Sequence, residues 1–296
     1  STMAASAVAD YIAVNIIGLR PVFDFDVEHR IPLRLYWAVV LLGVILGILG
    51  VLYNKLLDKM QDFFDRFDSK FISIGIMLMI SFLMMFSYPT VLGSGNDLVK
   101  VISDGKFTLI ALAILLVAKL FFSTGSFGTG TPGGIFLPLL VIGAITGGLY
   151  STFLSTAFGV EEYYIKGFVI IAMAGFFAAI VRAPITGVIL ITEMTGNFMT
   201  LLSLVAASLV AYVVADLLGG EPVYDQLMHR RQRKKVESGS GTPDHDYLAD
   251  VYSKSDKKYV KKRISIRERK VVIDSSIHIG SMMDGHKVME LGLPEG

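Results

Sequence analysis

The stretch Gly125-Ser-Phe-Gly-Thr-Gly-Thr-Pro-Gly-Gly-Ile-Phe-Leu-Pro138 decides the fold of this chain. It lies inside an uncharged run from Leu120 to Val160. A membrane-spanning helix needs roughly 20 apolar residues, so this run is long enough to enter a bilayer twice. Its glycines and prolines nevertheless break helices. Non-helical backbone at membrane depth persists only where it is buried in protein or lines a cavity.

A helix is predicted to restart at Gly134 and to continue through Tyr150 towards Phe158. The N-terminus of such a half-helix directs its unpaired N–H groups and its positive dipole end into the membrane interior. It is therefore a candidate anion site built from backbone. The alternative interpretation is that the glycines only permit close helix packing. The stretch is not a P-loop, because no Gly-Lys-Ser/Thr closes it and no acidic partner surrounds it.

The composition places the chain among membrane proteins. Apolar residues make up 53% of the sequence and charged residues only 18%, and the mean hydropathy is +0.60; soluble domains carry more charge. Because the sequence has no cysteine, a disulfide framework and a thiolate metal site are excluded. Lys and Arg are sparse up to Arg182 and dense from Arg230 to Lys270. The chain opens in an apolar run without an initiator Met, and we expect it to be part of a longer protein.

Apolar segments of unequal length alternate with short polar ones along the first 220 residues. The segment Leu35–Tyr53 is predicted to continue as an amphipathic helix, with Asp58 and Lys59 on a solvated face. Gly43 and Gly47 have the small-xxx-small spacing that lets helices approach closely. The other apolar segments include long ones and ones too short for a perpendicular crossing, and this mixture favours tilted and broken helices. These segments are Ser1–Gly18, Phe71–Leu92, Phe107–Phe122, Gly167–Val181, Pro184–Thr195 and Phe198–Ala215.

The C-terminal part of the chain has the composition of a soluble tail. The basic run at 229–235 directly follows a membrane segment, which marks the cytoplasmic side. Alternating apolar and charged residues over Tyr259–Ile273 predict one or two strands, and Lys287–Leu291 predicts a short helix. Few residues remain for an independent core, so this domain is expected to be cut short. The predicted organisation is a membrane domain (1–228), a basic segment with a linker (229–254) and a partial cytoplasmic domain (255–296).

Three motifs in order resemble those of one family. Gly134-Ile-Phe-Leu-Pro138 resembles the Gly-x-Phe-x-Pro filter segment of the CLC family of chloride channels and chloride/proton antiporters. Arg182-Ala-Pro-Ile-Thr-Gly187, followed by Glu193-Met-Thr195, looks like the next signature of the family. Gly219-Gly-Glu-Pro-Val-Tyr224 looks like the final signature, which ends in the tyrosine beside the inner anion site.

The resemblance implies the fold and the function of the chain. The fold would be that of an all-α polytopic membrane protein with tilted, broken and re-entrant helices, followed by a small truncated α+β cytoplasmic tail. The chain would be the C-terminal half of a bacterial transporter of chloride or a similar anion, and the resemblance favours exchange of the anion for protons. The serine filter segment and the gating glutamate of the family's first half do not occur in this sequence. Transport would need no cofactor and no enzymatic chemistry.

Four residues are implied in anion binding, namely Gly134, Ile135, Phe136 and Tyr224. Tyr224 has a phenol that donates one hydrogen bond from an apolar body, which suits an anion held without a second fixed charge. The alternative is an ordinary interfacial tyrosine of the aromatic belt. The fluoride-exporting branch of the family has a glutamate in the filter segment. Ile135 departs from that pattern, which favours chloride.

Isolated ionisable residues near the apolar segments have two interpretations each. An ionisable group in a membrane segment is by default a functional hypothesis. For Glu193 we favour a structural ion pair with Arg182 or with a neighbouring subunit, and Asp10 is treated in the same way. Lys119 precedes the filter stretch, where it either raises the local positive potential or extends to the interface. The sequence does not separate these two roles.

The family resemblance also predicts the partners. The family forms twofold dimers, so we expect a homodimer whose face includes Ser1–Gly18 and Ile185–Val214. The other partners would be chloride, protons and the lipid bilayer, with no nucleic acid. The protein would lie in the bacterial plasma membrane with its tail in the cytoplasm.

The tail leaves a different class of function open. Val271-Val-Ile273 and Glu290-Leu-Gly-Leu-Pro-Glu-Gly296 resemble the C-terminal subdomain of potassium-transport regulators (the TrkA-C, or RCK-C, type), whose ligand here is unknown. The chain could then be a regulatory component of a cation transport system, although no Thr-Val-Gly-Tyr-Gly filter supports this. Within the anion class, the alternative is a passive channel. An enzyme is disfavoured, because the sequence has no clustered acids, bases or metal ligands.

Overall fold

The described part of the chain is entirely helical. The computed structural model describes residues 2–18, 22–23, 29–67, 69–87, 89–93, 95–103, 105, 107–131 and 133–237. Within these residues there is no strand, which confirms the all-α prediction for the membrane domain. The α-helices are α1 (Thr2–Ile17), α2 (Tyr36–Phe64), α3 (Lys70–Ser87), α4 (Asn96–Ser103), α5 (Leu109–Gly128), α6 (Phe136–Phe158), α7 (Ile165–Val181), α8 (Pro184–Thr195), α9 (Leu201–Leu217) and α10 (Val223–Glu237).

The helices differ widely in length, as the sequence predicts. Four segments of the described chain are long and apolar enough to cross a membrane: Leu33–Phe64, Leu109–Gly128, Phe136–Phe158 and Glu162–Val181. The apolar parts of α1, α3, α8 and α9 are shorter. A chain with several such spans is a multi-pass membrane protein, and its shorter helices need tilt or a partner helix to complete a crossing.

Helix α7 forms the centre of the packed bundle. Every residue from Gly167 to Ile180 is buried, because α7 packs against α6, α9, α2 and α8. A helix that is apolar on all sides is stable only where other helices surround it. The position of α7 therefore fixes the positions of its neighbours, including α6 and the polypeptide that precedes it.

Glycines allow the central helices to approach backbone to backbone. A Cβ atom built on Gly147 would lie 2.7 Å from the carbonyl oxygen of Phe168 in α7, and one built on Gly143 would lie 2.8 Å from the carbonyl oxygen of Ala172. The predicted spacing in α2 has the same effect, since a Cβ on Gly43 would lie 2.9 Å from a backbone oxygen of α9. Small residues at such contacts are the usual basis of close helix packing in membranes.

The filter stretch contains less irregular backbone than predicted. Helix α5 continues through Gly125 and ends at Gly128, so the break begins only at Thr129. The two glycines are buried rather than helix-breaking, because they face other helices: a Cβ on Gly125 would lie 3.0 Å from the sulfur of Met77, and one on Gly128 would lie 3.0 Å from the Cβ of Met60. The packing interpretation therefore holds for this first half of the stretch.

Helix α6 begins close to the predicted restart. Its first helical residue is Phe136 and its N-cap is Ile135, whereas Gly134 still lies outside the helix. With 23 residues, α6 is a full-length span rather than a short half-helix. The predicted restart at Gly134 is therefore correct to within two residues, and the helix reaches Phe158 as predicted. That its start lies at membrane depth, as a half-helix would require, stays a prediction.

The predicted tail lies outside the described residues. These end at Glu237, within α10. The linker, the strands predicted over Tyr259–Ile273, the helix predicted over Lys287–Leu291 and the TrkA-C-like domain all follow that point. They remain predictions.

Candidate anion site

The start of α6 presents free backbone donors. The first hydrogen bond of the helix runs from the Leu139 N–H to the carbonyl oxygen of Ile135, at 3.3 Å. The N–H groups of Ile135, Phe136 and Leu137 precede it and therefore have no intrahelical acceptor. Among the described residues, none of these three N–H groups has another acceptor either. Their dipoles add to the positive end of the α6 macrodipole, so this position favours an anion.

Open space lies directly before these donors. Gly134 is exposed, and a Cβ built on it would meet no atom within 4 Å. Its backbone is not in a left-handed conformation, so neither packing nor backbone geometry requires a glycine here. A glycine does leave the backbone most accessible to a ligand. This half of the stretch thus differs from Gly125 and Gly128, where other helices occupy the space beside the Cα atom.

Helix α7 holds the start of α6 in place. The ring of Phe136 packs edge-on against the ring of Phe177, with centroids 5.5 Å apart and planes at 82°. This is the preferred geometry of an aromatic pair. Ile135 is buried beside it, with 8% of its surface exposed. The two side chains therefore anchor the filter residues, while their N–H groups stay free.

Tyr224 lies on a different element. It is the second residue of α10, and 52% of its surface is exposed. In the part of the chain that the structure describes, its hydroxyl has no hydrogen-bond partner, and no hydrogen bond joins it to Ile135 or Phe136. Gly134, Ile135 and Phe136 are consecutive at the start of α6, and no hydrogen bond among the described residues links Tyr224 to them. A free phenol O–H is available to a ligand.

Two buried side chains hold the turn that leads into α10, and the sequence analysis missed the first of them. Asn54 of α2 donates from Nδ2 to the carbonyl oxygen of Glu221, at 2.8 Å. Arg182 donates from Nη2 to the carbonyl oxygen of Gly220, at 2.8 Å, and from Nη1 to that of Tyr212, at 2.9 Å. The signal that could have revealed Asn54 is a lone amide that directly follows the apolar run Leu35–Tyr53.

The predicted pair between Glu193 and Arg182 is not formed. Arg182 instead lies 3.6 Å from the carboxylate of Asp216, because its guanidinium is directed towards the end of α9. Burial lowers the pKa of Arg182, and the charge of Asp216 opposes that effect. Glu193 is exposed on α8 and, together with Asp10 of α1, lines an open cleft. Neither acid has an ion-pair partner within the described ranges.

Of the two roles predicted for Lys119, the structure contradicts the interfacial one, and its effect on the local potential stays a prediction. Its side chain does not extend to an interface, because only 2% of the residue is exposed. Its ammonium donates to the carbonyl oxygen of Val91, at 2.6 Å, and to that of Gly93, at 3.1 Å. Lys119 therefore ties α5 to the segment before α4, and backbone carbonyls stabilise its buried charge.

The acidic end of α2 is not a purely solvated face. Arg230 of α10 donates to the carboxylates of Asp58, Asp62 and Asp65, at 2.9, 2.7 and 2.6 Å. The Arg230 side chain is only 9% exposed, whereas that of Asp58 is 58% exposed. The prediction therefore holds for Lys59, which is exposed, but is incomplete for Asp58, which also binds α10.

A helix start with free N–H groups, set among apolar helices of unequal length, is typical of membrane transport proteins built from broken helices. Comparison with known families agrees. Residues 1–216 match the family model described as voltage gated chloride channel, and the chain belongs to this family. This confirms the family that the motifs predict, and the matched residues include the first two motifs, whereas Gly219–Tyr224 lies after them. It is a family of transport proteins rather than of enzymes.

Individual relatives are similar to one part of the chain. The "H(+)/Cl(-) exchange transporter ClcA" of Vibrio campbellii is 40% identical over 151 residues, which are 50% of this chain and 32% of that protein. The protein of the same name from Yersinia pestis is 34% identical over 158 residues, which are 53% of this chain and 33% of that protein. The chain thus spans about a third of the length of these relatives.

Solved structures share the fold. A slow cyanobacterial Cl⁻/H⁺ antiporter superposes with a TM-score of 0.65 and 30% sequence identity, over 71% of this chain and 50% of that protein. A CLC-type fluoride/proton antiporter superposes with a TM-score of 0.56 over 69% of this chain and 50% of that protein. At 19% identity, this second likeness concerns the fold alone.

Proposed function

We propose that this chain supplies part of the ion pathway of a chloride/proton exchanger, and that chloride binds to the N–H groups of Ile135 and Phe136. The observation that carries the proposal is the start of α6, where three N–H groups have no acceptor among the described residues and the neighbouring Gly134 has open space around its Cα. Removing an anion from water costs several kcal/mol even after the protein relaxes. Backbone donors replace that hydration without a fixed positive charge, and conduction needs this moderate affinity.

Tyr224 is proposed as a second, inner contact for the same ion. Its hydroxyl is free, and its side chain is half exposed at the beginning of α10. One O–H donor adds to the binding of an anion but does not define the site alone. The backbone of α6 and the phenol of α10 would then act at successive positions of one pathway.

Exchange is favoured over passive conduction by the relatives. Two similar bacterial proteins are named as H⁺/Cl⁻ exchangers, and the more similar of the two reported structures is a Cl⁻/H⁺ antiporter. Chloride is favoured over fluoride because residue 135 is isoleucine rather than glutamate. A passive chloride channel is the second candidate, and it is supported by the description of the family.

The membrane is proposed to be a bacterial plasma membrane, with the segment after α10 on the cytoplasmic side. The basic run at 229–235 supports this orientation.

A homodimer is proposed as well. Helix α1 exposes large apolar side chains, including Tyr11 and Ile16, and α8 exposes Ile185. All three residues belong to the predicted dimer face. A second copy covering these helices would bury them.

The filter is tested by removing one N–H group at a time. Ile135 has φ of −78°, which proline adopts without strain, and the preceding Gly134 tolerates the restriction that proline imposes on its neighbour. Ile135→Pro in the full-length protein should therefore delete one donor while α6 still forms. A hydrogen bond to a charged group contributes about 1.5–3 kcal/mol, so chloride affinity measured by calorimetry should fall about 10- to 100-fold.

The matched controls keep the donors. Ile135→Val and Phe136→Leu change the side chains but leave both N–H groups, so they should retain most of the chloride affinity. Phe136→Pro also removes a donor, but Ile135 before it is in the helical region, which proline disfavours; it is therefore the less selective variant. Tyr224→Phe should weaken binding without abolishing transport. Equal chloride affinity in Ile135→Pro and Ile135→Val would exclude the backbone site.

A further inference from the structure

We propose that Asn54 and Arg182 are positioning residues that place Tyr224 for the anion. The inference rests on the proposed role of Tyr224 as the inner anion contact. Tyr224 follows the turn from Leu218 to Pro222, which joins α9 to α10. Its hydroxyl forms no hydrogen bond with any described residue, and half of its side chain is exposed. The place of the phenol is therefore set by the backbone that carries it, and that backbone is held by other residues.

Asn54 holds the turn from the side of α2. It is 2% exposed, and its Nδ2 donates to the carbonyl oxygen of Glu221, three residues before Tyr224, at 2.8 Å. The same amide lies 3.5 Å from the carbonyl oxygen of Ile180, at the end of α7. Its Oδ1 is buried without a partner. Burying an amide whose oxygen has no partner costs free energy. The Asn54 side chain therefore stabilises the structure through its Nδ2 donor, which joins α2 to α7 and to the turn.

Arg182 holds the same turn from the end of α7, and its backbone conformation supports a specific role. Its φ is 65°, and it is the only non-glycine residue with a positive φ in the described ranges. Glycine adopts this conformation freely at helix ends, whereas a residue with a side chain is strained in it. The side chain compensates through its two hydrogen bonds to Gly220 and Tyr212 and through its place 5.6 Å from the centre of the Tyr212 ring.

The turn is closely packed at Gly220, against Val51 and Arg182. A Cβ built on Gly220 would lie 2.8 Å from a methyl carbon of Val51 and 3.2 Å from Nη2 of Arg182. Further along α10, Arg230 binds three carboxylates at the C-terminal end of α2. Tyr224 thus lies between two fixed points, one on each side along the chain. A displacement of the turn or of the Arg230 contacts would move the phenol relative to the start of α6.

The test is a double-mutant cycle on chloride affinity in the full-length protein. Asn54→Ala should weaken chloride binding about five-fold, the effect of one lost hydrogen bond, and Tyr224→Phe should weaken it to a similar extent. If Asn54 acts through Tyr224, the double variant should bind chloride no more weakly than Tyr224→Phe alone, because the positioned group is already absent. A purely structural role would lower the unfolding temperature and leave affinity unchanged.

Two further variants make the result decisive. Arg182→Lys keeps the charge but loses the forked donor pair, so it should weaken chloride binding like Asn54→Ala; it serves if Asn54→Ala does not fold. Asn15→Ala is the matched control, since Asn15 of α1 also donates to a backbone oxygen, that of Tyr11 at 2.7 Å, but is remote in sequence from the turn. It should leave the affinity unchanged.

The outcomes separate this inference from the function on which it rests. If Tyr224→Phe leaves chloride affinity unchanged, Tyr224 is not an anion contact, and that part of the proposed function fails together with this inference. If Tyr224→Phe weakens binding while Asn54→Ala and Arg182→Lys do not, only the positioning role is overturned. Additive losses in the double variant would also overturn it, because Asn54 would then act on the anion by another route.

Discussion

Replacing Gly147 by alanine should force α6 and α7 apart. The added Cβ would lie 2.7 Å from the carbonyl oxygen of Phe168, 2.7 Å from the Cβ of Ala172 and 2.8 Å from the Cα of Val169. Non-bonded carbon atoms normally lie about 3.5–4.0 Å apart. These three atoms belong to the backbone or are fixed to it, so none can rotate away. Relief therefore requires a displacement of the two helices by about 1 Å.

The size of the effect follows from two opposing contributions. Overpacking a close contact typically costs about 1–3 kcal/mol. Because α7 is also packed against α2, α8 and α9, it cannot move without disturbing them, and the upper part of that range applies. Alanine is a better helix former than glycine by about 1 kcal/mol, which offsets part of the cost. The net expectation is a destabilisation of about 1–2 kcal/mol.

Thermal unfolding in detergent, followed by circular dichroism, measures this effect. Gly75→Ala in α3 is the matched control, since a Cβ on Gly75 would meet no atom within 4 Å. This control should unfold at the same temperature as the unmodified protein or slightly above it, because only the helix propensity changes. If Gly147→Ala unfolds at the same temperature as Gly75→Ala, the close backbone contact between α6 and α7 does not limit stability, and the reasoning is refuted.

Two other predictions concern the buried lysine and the assembly. Lys119→Met should lower the unfolding temperature, because it leaves the carbonyl oxygens of Val91 and Gly93 without their donor and each buried unpaired group costs about 1–3 kcal/mol. Lys100→Met, at an exposed position of α4, should change the unfolding temperature little. Equal effects of the two substitutions would contradict the structural role of Lys119. The chain has no cysteine, so single cysteines can be introduced at Tyr11 or Ile185, and each should give crosslinked dimers in membranes. Phe71→Cys, on the exposed face of α3, should not. Monomers at all three positions would rule out the proposed dimer face.

Helix positions were predictable wherever the sequence itself marks them. Helix α8 runs from Pro184 to Thr195, as predicted, because proline suits the first turn and Gly196 ends the helix in a left-handed conformation. The end of α5 was not predictable in this way. Gly125 and Gly128 break a helix only if nothing packs against them, and the sequence does not show that Met77 and Met60 do.

The partners of the buried charges could not be predicted for a related reason. Arg182 and Lys119 bind backbone carbonyl oxygens that lie 26 to 38 residues away along the chain. Every residue has a carbonyl, so no side-chain pattern indicates which one is reached. The family motifs placed Ile135 and Phe136 at a helix start, which the structure shows, whereas their binding of an anion remains a prediction.

The cluster around Arg230 has a consequence for biosynthesis. Its hydrogen bonds join residues 165 to 172 positions apart, and a ribosome completes α2 long before it reaches α10. Three carboxylates at the C-terminal end of a helix oppose its dipole, so a nascent chain that ends before residue 230 retains an acidic patch that the finished chain has neutralised in part. Arg230 can therefore neutralise this patch only after α10 has been synthesised, which makes the docking of α10 a late step of assembly.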